Sequence, residues 1–310
     1  MAQTLVNESG LRALFTGFSA IFNDALKAAV QDYLQTCMTV PSSGRGMDYA
    51  WLTRFPRMRK WVGDKQIKNL ELHTYYVKND DWEATIAVNR NDIEDDQIGI
   101  YRIQAQDMGQ SATELYSNIA NDLKNNAFTK LGIDGLPFYS ASHELVDANG
   151  YDRTYSNKGT AVLSSANLAA ASASFGAARI ALMKMCDYEG QPLLLMPDIL
   201  EVPPALEATA NVLINADKLG DNSPNPYQKT CKVLVNPGLT SDTAWFMHVT
   251  SRPVKPFIIQ DREKPRFVSQ TDINADSVYN RKEFRYGVEA RCAGAYGFWQ
   301  LSYGSTGAGS

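Results

Sequence analysis

Residues 59–101 read RKWVGDKQIKNLELHTYYVKNDDWEATIAVNRNDIEDDQIGIY, and this stretch decides the fold. Asn69–Val77 is rich in β-branched and aromatic residues, and Trp82–Asn89 alternates apolar with polar or small residues. The polar run Lys78–Asp81 separates these two segments, so the pattern predicts a β-hairpin. Because an isolated hairpin is only marginally stable in water, its apolar face needs a further partner, either its own domain or another subunit.

A long helix is predicted directly after the hairpin. Asn91 or Asp92 can cap it, and the carboxylates that follow favour the positive end of a helix dipole. Apolar side chains then recur at spacings of three and four, up to a stop near Gly132: Tyr101, Ala105, Met108, Ala112, Leu115, Ile119, Leu123 and Ala127. A helix of about 30 residues would be roughly 45 Å long, which suits a strut inside a flattened subunit.

The rest of the chain mixes helical and strand patterns. Helical spacing is found over residues 11–37, 167–185 and 204–216. Strand patterns are found at residues 192–196, 232–235, 244–249, 257–259, 266–268, 283–292 and 298–303. The last two strands could lie in one sheet near the long helix.

Composition and charge exclude several classes of protein. With 44% hydrophobic and 21% charged residues, the 310-residue chain has the composition of a folded protein, and no apolar run approaches the roughly 20 residues that span a bilayer. A net charge of -4 argues against a dedicated nucleic-acid binder. The four cysteines are far apart and predict reduced, mostly buried thiols: Cys37, Cys186, Cys231 and Cys292.

Catalytic and metal-binding patterns are weak. The sequence has no Gly-x-Ser-x-Gly elbow, phosphate-binding loop, dinucleotide fingerprint or His-Glu-x-x-His motif. His143 lies near Glu144, Asp147 and Asp152, but the spacing matches no common ligand motif and these residue types are ordinary in turns. His73 and His248 stand alone in strand-like surroundings. We therefore predict no catalytic residue, no metal and no cofactor.

The order of elements resembles the tailed-phage capsid fold. Residues 59–101 look like the junction between the extended loop and the spine helix of the Mu-like head subunits. Two later stretches are similar to that family: LLMPDILEVPPALEATANVLIN (194–215) and GVEARCAGAYGFWQLSYGSTG (287–307). The resemblance covers nearly the whole chain.

The resemblance implies an α+β, Hong Kong 97-like capsid fold. It implies the following segments: an N-terminal arm (1–53), an extended β-hairpin loop (54–90), a peripheral domain (91–175) with its spine helix at about 92–128, an axial domain (176–275), and C-terminal strands (276–310) that return to the peripheral domain. The extended loop would lie over a neighbouring subunit. The residues expected at that interface are Arg57, Arg59, Lys60, Trp61, Tyr75, Tyr76 and Trp82.

The implied function is that of a major capsid protein, which forms pentamers and hexamers of an icosahedral head around double-stranded DNA. Expected partners are further copies of the chain, a separate scaffolding protein, a portal and decoration proteins, joined without covalent links. The protein would assemble in the host cytoplasm and end in the virion, with no membrane contact. Two other functions stay open: a compartment shell of the same fold that encloses cargo protein, and an α/β enzyme with an unrecognised site.

Overall fold

The computed structural model describes residues 8–28, 32–49, 52, 75–94, 99–146, 152–187, 190–272 and 276–309. Its helices are α1 Glu8–Ala28, α2 Arg90–Glu94, α3 Gly99–Asn125, α4 Leu168–Ala171, α5 Ala177–Met183, α6 Glu207–Asn215 and α7 Asp276–Arg281. Its strands are β1 Cys37–Pro41, β2 Gly46–Asp48, β3 Tyr76–Lys78, β4 Asp80–Asn89, β5 His143–Val146, β6 Asp152–Tyr155, β7 Lys158–Gly159, β8 Ile199–Val202, β9 Lys232–Val235, β10 Trp245–His248, β11 Phe257–Gln270, β12 Glu283–Tyr296 and β13 Ser302–Ser305.

The first large sheet has the strand order β1-β11-β12-β4. β4 pairs antiparallel with β12 along all ten of its residues, from Asp80 opposite Cys292 to Asn89 opposite Glu283. β11 joins β12 with two register shifts between Asp261 and Arg266, and β1 runs parallel to β11. Two segments predicted as separate strands, 257–259 and 266–268, are therefore parts of one long strand.

The predicted hairpin between Asn69–Val77 and Trp82–Asn89 is wrong for the residues that the structure describes. β3 pairs with β2, whereas β4 pairs with β12, so the run Lys78–Asp81 joins two sheets rather than reversing the chain. Asn79 fixes this crossing, because its backbone N–H donates to Arg45 O (3.0 Å) and its side-chain Nδ2 donates to Ser42 Oγ (3.1 Å). Residues 69–74 lie outside the described part.

The long helix is confirmed as α3, which has 27 residues. Its buried face contains most of the side chains that the spacing selected: Ala105, Met108, Ala112, Ile119 and Leu123. The short helix α2 covers the predicted start at Asn91 or Asp92, and residues 95–98 between α2 and α3 lie outside the described part.

The N-terminal helix α1 packs along α3 and ends at Ala28, short of the predicted Cys37. Cys37 instead begins β1, whose backbone is used by pairing with β11. Gly109 allows the two helices to approach closely: a Cβ at this position would lie 2.6 Å from Phe22 O. α1 also packs on the first sheet: Phe18 contacts Tyr286 and Phe22 contacts Phe267, at 5.3 and 5.6 Å between ring centroids. α1 belongs to the expected N-terminal arm (1–53), and it buries its apolar face in its own subunit.

The second large sheet has the order β7-β13-β10-β8-β9 and mixes parallel with antiparallel pairs. The predicted helices at 167–185 and 204–216 are confirmed. The first is α4 and α5 joined by a π turn at Ser172–Gly176, and the second is a 3-10 turn that leads into α6. The strand predicted at 192–196 forms at Ile199–Val202 instead, where all four residues are buried.

The last two predicted strands lie in different sheets. β12 belongs to the first sheet, whereas β13 pairs with β10 and β7 in the second. Between them the chain turns at Gly297 and forms a 3-10 turn, Trp299–Leu301, whose three side chains are buried. The expectation that both strands share a sheet near the long helix is therefore wrong, because this buried turn carries the chain across the core.

The strands of one sheet come from more than one of the segments that the resemblance implies. β11 lies in the first sheet with β12, although residues 176–275 were assigned to the axial domain. One continuous apolar core joins the two sheets and contains side chains of α3, β10 and β11, among them Leu123, Phe246 and Phe257. The α+β class is confirmed. No helix within the described ranges combines the length and apolar character needed to cross a bilayer.

Candidate assembly surfaces and a buried polar network

The seven residues predicted at the assembly interface have different surroundings. Four of them, Arg57, Arg59, Lys60 and Trp61, lie outside the described residues. The remaining three are placed around the start of β3 and β4. Tyr76 is 58% exposed and Trp82 is 39% exposed, so part of each side chain is available to a neighbour.

Tyr75, by contrast, is bound within its own subunit. Its hydroxyl accepts a hydrogen bond from the backbone N–H of Tyr296 (3.0 Å), and its backbone N–H donates to Asp48 Oδ1 (3.1 Å). Its carbonyl accepts from the backbone N–H of Tyr49. Burial raises the pKa of the Tyr75 hydroxyl. These contacts anchor the chain at the point where it enters β3.

Trp82 lies at the mouth of a groove between α3 and the first sheet. Its indole Nε1 donates to Cys292 O (3.2 Å), which orients the ring although part of the residue is exposed. The groove has a volume of about 170 Å³, and its lining includes Ala112 and Leu115 from α3 and Val288 from β12. Trp82 is therefore a structured, partly exposed aromatic group beside an apolar groove.

β4 forms an edge of the first sheet. Within the described ranges its outer edge has no partner strand. Its first residues are acidic and exposed, and Asp81 contacts Arg291 Nε at 2.7 Å. Charged residues on a sheet edge discourage indiscriminate strand pairing, and they also select a basic partner.

A buried polar network joins the C-terminal part of α3 to the second sheet. Lys124 Nζ lies 2.7 Å from Glu201 Oε1, and both side chains are almost completely inaccessible to solvent. Asn236 Nδ2 donates to the same oxygen (2.5 Å), while His248 Nε2 lies 3.0 Å from Glu201 Oε2. Ser302 Oγ continues the network between His248 Nδ1 (2.8 Å) and the Tyr139 hydroxyl (2.7 Å).

The charges of this network are set by competing effects. Burial by itself raises the pKa of Glu201, but the Lys124 charge and the hydrogen bonds from His248 and Lys124 outweigh it and hold the pKa at about 2. Burial lowers the pKa of His248 against the opposing effect of Glu201. A neutral His248 can donate from Nε2 to Glu201 and accept at Nδ1 from Ser302. The arrangement is an ion pair supported by neutral donors, and it joins α3 to the second sheet.

Sequence reasoning missed this network. Lys124 follows Leu123 on the buried face of α3, and Glu201 interrupts the apolar run Ile199–Val202. Glu201 was the available signal: it is a single charged residue in an otherwise apolar strand, and a charge that becomes buried needs a partner. The sequence left His248 as an isolated histidine, and the structure places it within this network.

His143, the candidate for metal binding, is also used structurally. Its Nδ1 lies 2.5 Å from Asp134 Oδ2, its Nε2 lies 3.1 Å from Asn157 Oδ1, and its ring stacks on Trp299 at 4.0 Å between centroids. Asp147, one of the acidic residues near His143 in the sequence, lies outside the described residues. In the described part of the chain, no three His, Cys, Asp or Glu side chains converge on a common point.

The four cysteines are free thiols, as predicted; Cys37 and Cys292 are buried and the other two are partly buried. Burial raises the pKa of Cys37 to about 11 and that of Cys292 to about 12. Because the thiolate is the reactive form, these two buried residues are poor nucleophiles at neutral pH.

Comparison with known proteins identifies the family. The model of the Mu-like prophage major head subunit gpT family matches residues 11–166, 159–239 and 236–308. The major capsid protein of Escherichia phage Mu is 27% identical over 301 residues, which cover 96% of this chain and 74% of that protein. The Mu-like prophage FluMu major head subunit of Haemophilus influenzae is 25% identical over 295 residues, which cover 94% of this chain and 72% of that protein.

A solved structure agrees with these relatives. The procapsid of bacteriophage JBD30 contains a chain that is 28% identical and superposes with a TM-score of 0.62, covering 96% of this chain and 75% of that one. The family model extends over almost the whole sequence, and the fold agrees with it. The chain therefore belongs to the Mu-like prophage major head subunit gpT family, and it is a structural capsid protein with a Hong Kong 97-like fold rather than an enzyme.

Proposed function

We propose that copies of this chain close into rings of five and six, and that these rings form an icosahedral head around double-stranded DNA. The observation that carries the proposal is the family match along nearly the whole chain. Head-to-tail contacts between identical subunits close into rings when the rotation between neighbours allows it. The proposal includes assembly in the host cytoplasm with a separate scaffolding protein, a portal and decoration proteins, after which the chain is part of the virion.

We infer that residues 53–74 of one copy contact a neighbouring copy. Between Arg54 and Thr74 the sequence contains six basic and two acidic residues, together with Phe55 and Trp61. The start of β4 offers the complementary charge, because Asp80, Asp81 and Glu83 are exposed there. Opposite charges on two surfaces guide association and fix its register. The predicted interface residues Arg57, Arg59, Lys60 and Trp61 belong to this segment.

The structure indicates how to remove this segment without damaging the sheet. A deletion must end before β4, because removing residues 63–88, for example, would take away nearly all of β4, including the buried Val88. Leu52 and Tyr75 are both tied to Tyr49, whose carbonyl accepts from the Leu52 N–H (2.9 Å) and whose N–H donates to Tyr75 O (3.0 Å). A short Gly-Ser linker can therefore replace residues 55–72.

We expect the linker variant to fold and to form no shells. The purified chain would be expressed with its scaffolding protein and viewed by negative-stain microscopy, while circular dichroism follows its thermal unfolding. The matched variants are Arg57→Glu/Arg59→Glu, expected to reduce shell yield at least tenfold, and Arg57→Lys/Arg59→Lys, expected to assemble normally. Normal shells from the linker variant would contradict the contact, whereas a wild-type chain that stays monomeric would contradict the proposed function itself.

A further inference from the structure

Four large apolar side chains are exposed on α5 and on the segment that follows it. Ile180 and Met183 lie three residues apart, so they share one face of the helix. In the segment 193–197, Leu194 and Met196 are exposed while their neighbours are buried. We call these four residues, Ile180, Met183, Leu194 and Met196, the apolar patch.

Two hydrogen bonds show that the helix and the segment lie side by side. The Leu193 N–H donates to Met185 O (2.9 Å), just after the end of α5. At the other end, Arg179 Nη1 donates to Pro197 O (3.3 Å). The segment therefore runs antiparallel to α5, which places the exposed side chains of Leu194 and Met196 near the exposed side chains of Ile180 and Met183.

The backbone of Leu194 is held in an unusual conformation. Its φ of +53° lies in the left-handed region, where a leucine is rare because its Cβ crowds the backbone. Arg252 donates to the carbonyl of Leu193, and the side chains of Leu193 and Leu195 are buried on either side. These contacts hold Leu194 with 84% of its residue surface exposed, so it adds almost no buried apolar area to the subunit. Strain of this kind is typically retained where it serves a function.

We propose that the apolar patch is a contact surface between two copies of this chain in the assembled shell. This inference rests on the proposed function and deepens it. The chain is a head subunit, so the sides of each copy face further copies, which are the most abundant partner that a fixed surface can meet. The chemistry agrees, because aliphatic and methionine side chains form the centre of protein interfaces and charged groups lie at the rim.

A nucleic acid is a poorer fit to this surface. Phosphate binding needs basic groups that are free to reach the backbone of DNA. Here Arg179 donates to Pro197 O and Arg252 donates to Leu193 O, so both guanidinium groups help to hold the segment, and the exposed Lys184 next to Met183 is a single charge beside the four apolar side chains. The centre of the patch is left apolar, which matches another protein surface.

The test uses Leu194→Asn in the full chain. Asparagine tolerates the left-handed conformation, so this change removes the apolar side chain and keeps the backbone. We expect the Leu194→Asn subunit to melt at or above the wild-type temperature, while the yield of shells, measured by light scattering and microscopy, falls at least tenfold. Met183→Gln changes the patch on the helix without involving the strained residue and should lower the yield in the same way.

Two matched variants serve as controls. Leu194→Met keeps an apolar side chain, and Leu131→Asn removes a leucine that is 58% exposed outside the patch; both should assemble within twofold of wild type. Wild-type yield from both Leu194→Asn and Met183→Gln would overturn the inference. Loss of scaffolding-protein binding, with rings still formed by the variant chain alone, would also overturn it by assigning the patch to that partner. Failure of the wild-type chain to assemble would instead contradict the proposed function.

Discussion

Replacing Glu201 by alanine should lower the free energy of unfolding of the unassembled subunit by about 3–5 kcal/mol, because it leaves a buried ammonium group without its counter-ion. Lys124 Nζ would lose its 2.7 Å contact, and the Asn236 side chain and His248 Nε2 would each lose an acceptor. Lys124, Glu201 and His248 are buried, so the unpaired ammonium group would lie in a poorly solvated site. Urea unfolding followed by circular dichroism measures the loss.

The double variant Lys124→Met/Glu201→Leu is the matched control. It removes both charges and keeps similar side-chain volumes, so we expect it to be considerably more stable than Glu201→Ala, because well-packed apolar groups often replace a buried ion pair at little cost. If Glu201→Ala loses less than about 1 kcal/mol, the ion pair does not hold α3 on the second sheet in the way proposed.

The same pair predicts how stability depends on pH. The pKa of Glu201 is about 2 in the folded chain against an ordinary value of 4.5, so its contribution is complete above about pH 4.5 and is lost as the pH falls through 2. His248 acts in the same direction, because burial lowers its pKa and the folded state resists its protonation in acid. Urea unfolding between pH 7 and pH 2.5 should show falling stability, and Glu201→Gln should flatten the acid part of this curve. A curve for Glu201→Gln that is parallel to wild type would contradict the assignment.

Replacing Asn157 by aspartate should also destabilise the subunit strongly, by about 3 kcal/mol or more. Asn157 is buried, and its Nδ2 donates to Phe138 O (2.8 Å) and to Trp299 O (3.2 Å). Its Oδ1 accepts from the Ser140 N–H (2.9 Å) and faces His143 Nε2 (3.1 Å). An aspartate has nearly the same shape, but it would place an oxygen against two carbonyl oxygens and bury a charge.

The control for this change is Asn215→Asp at the exposed end of α6. This substitution makes the same chemical change at the surface, so its effect should stay below about 1 kcal/mol. Both variants are compared with wild type by urea unfolding at pH 7. Equal effects at the two positions would show that Asn157 does not hold the buried turn at Trp299 in place.

Residues 69–128 contain both elements that the sequence predicted correctly and a strand pairing that it predicted wrongly. The spacing of apolar residues predicted α3 and its buried face, because a helix repeats every 3.6 residues whatever it packs against. The alternation in Trp82–Asn89 likewise predicted a strand, and β4 is there. The partner of that strand was predicted wrongly, since alternation indicates which side chains share a face and says nothing about which segment supplies the hydrogen bonds.

The predicted interface residues also differ in what the sequence could indicate about them. The family resemblance selected Tyr75, Tyr76 and Trp82 together, although Tyr75 is bound to Tyr296 and Asp48 inside the subunit while Tyr76 and Trp82 are partly exposed. Adjacent residues in an extended chain point in opposite directions, so one of them can be buried while the next is exposed. That the three residues form an assembly contact stays a prediction.

By itself, the amino-acid sequence determined the local elements and, through long stretches similar to the Mu-like head subunits, the fold and the function of the chain. These properties depend on local spacing and on resemblance along the chain. Only the tertiary structure decided that β4 pairs with β12, that Lys124 meets Glu201, and that Leu194 is held with its side chain exposed. Each of these depends on groups brought together by folding, 77 residues apart in the case of Lys124 and Glu201, and the free energy of a buried charge or an exposed leucine depends on what surrounds it.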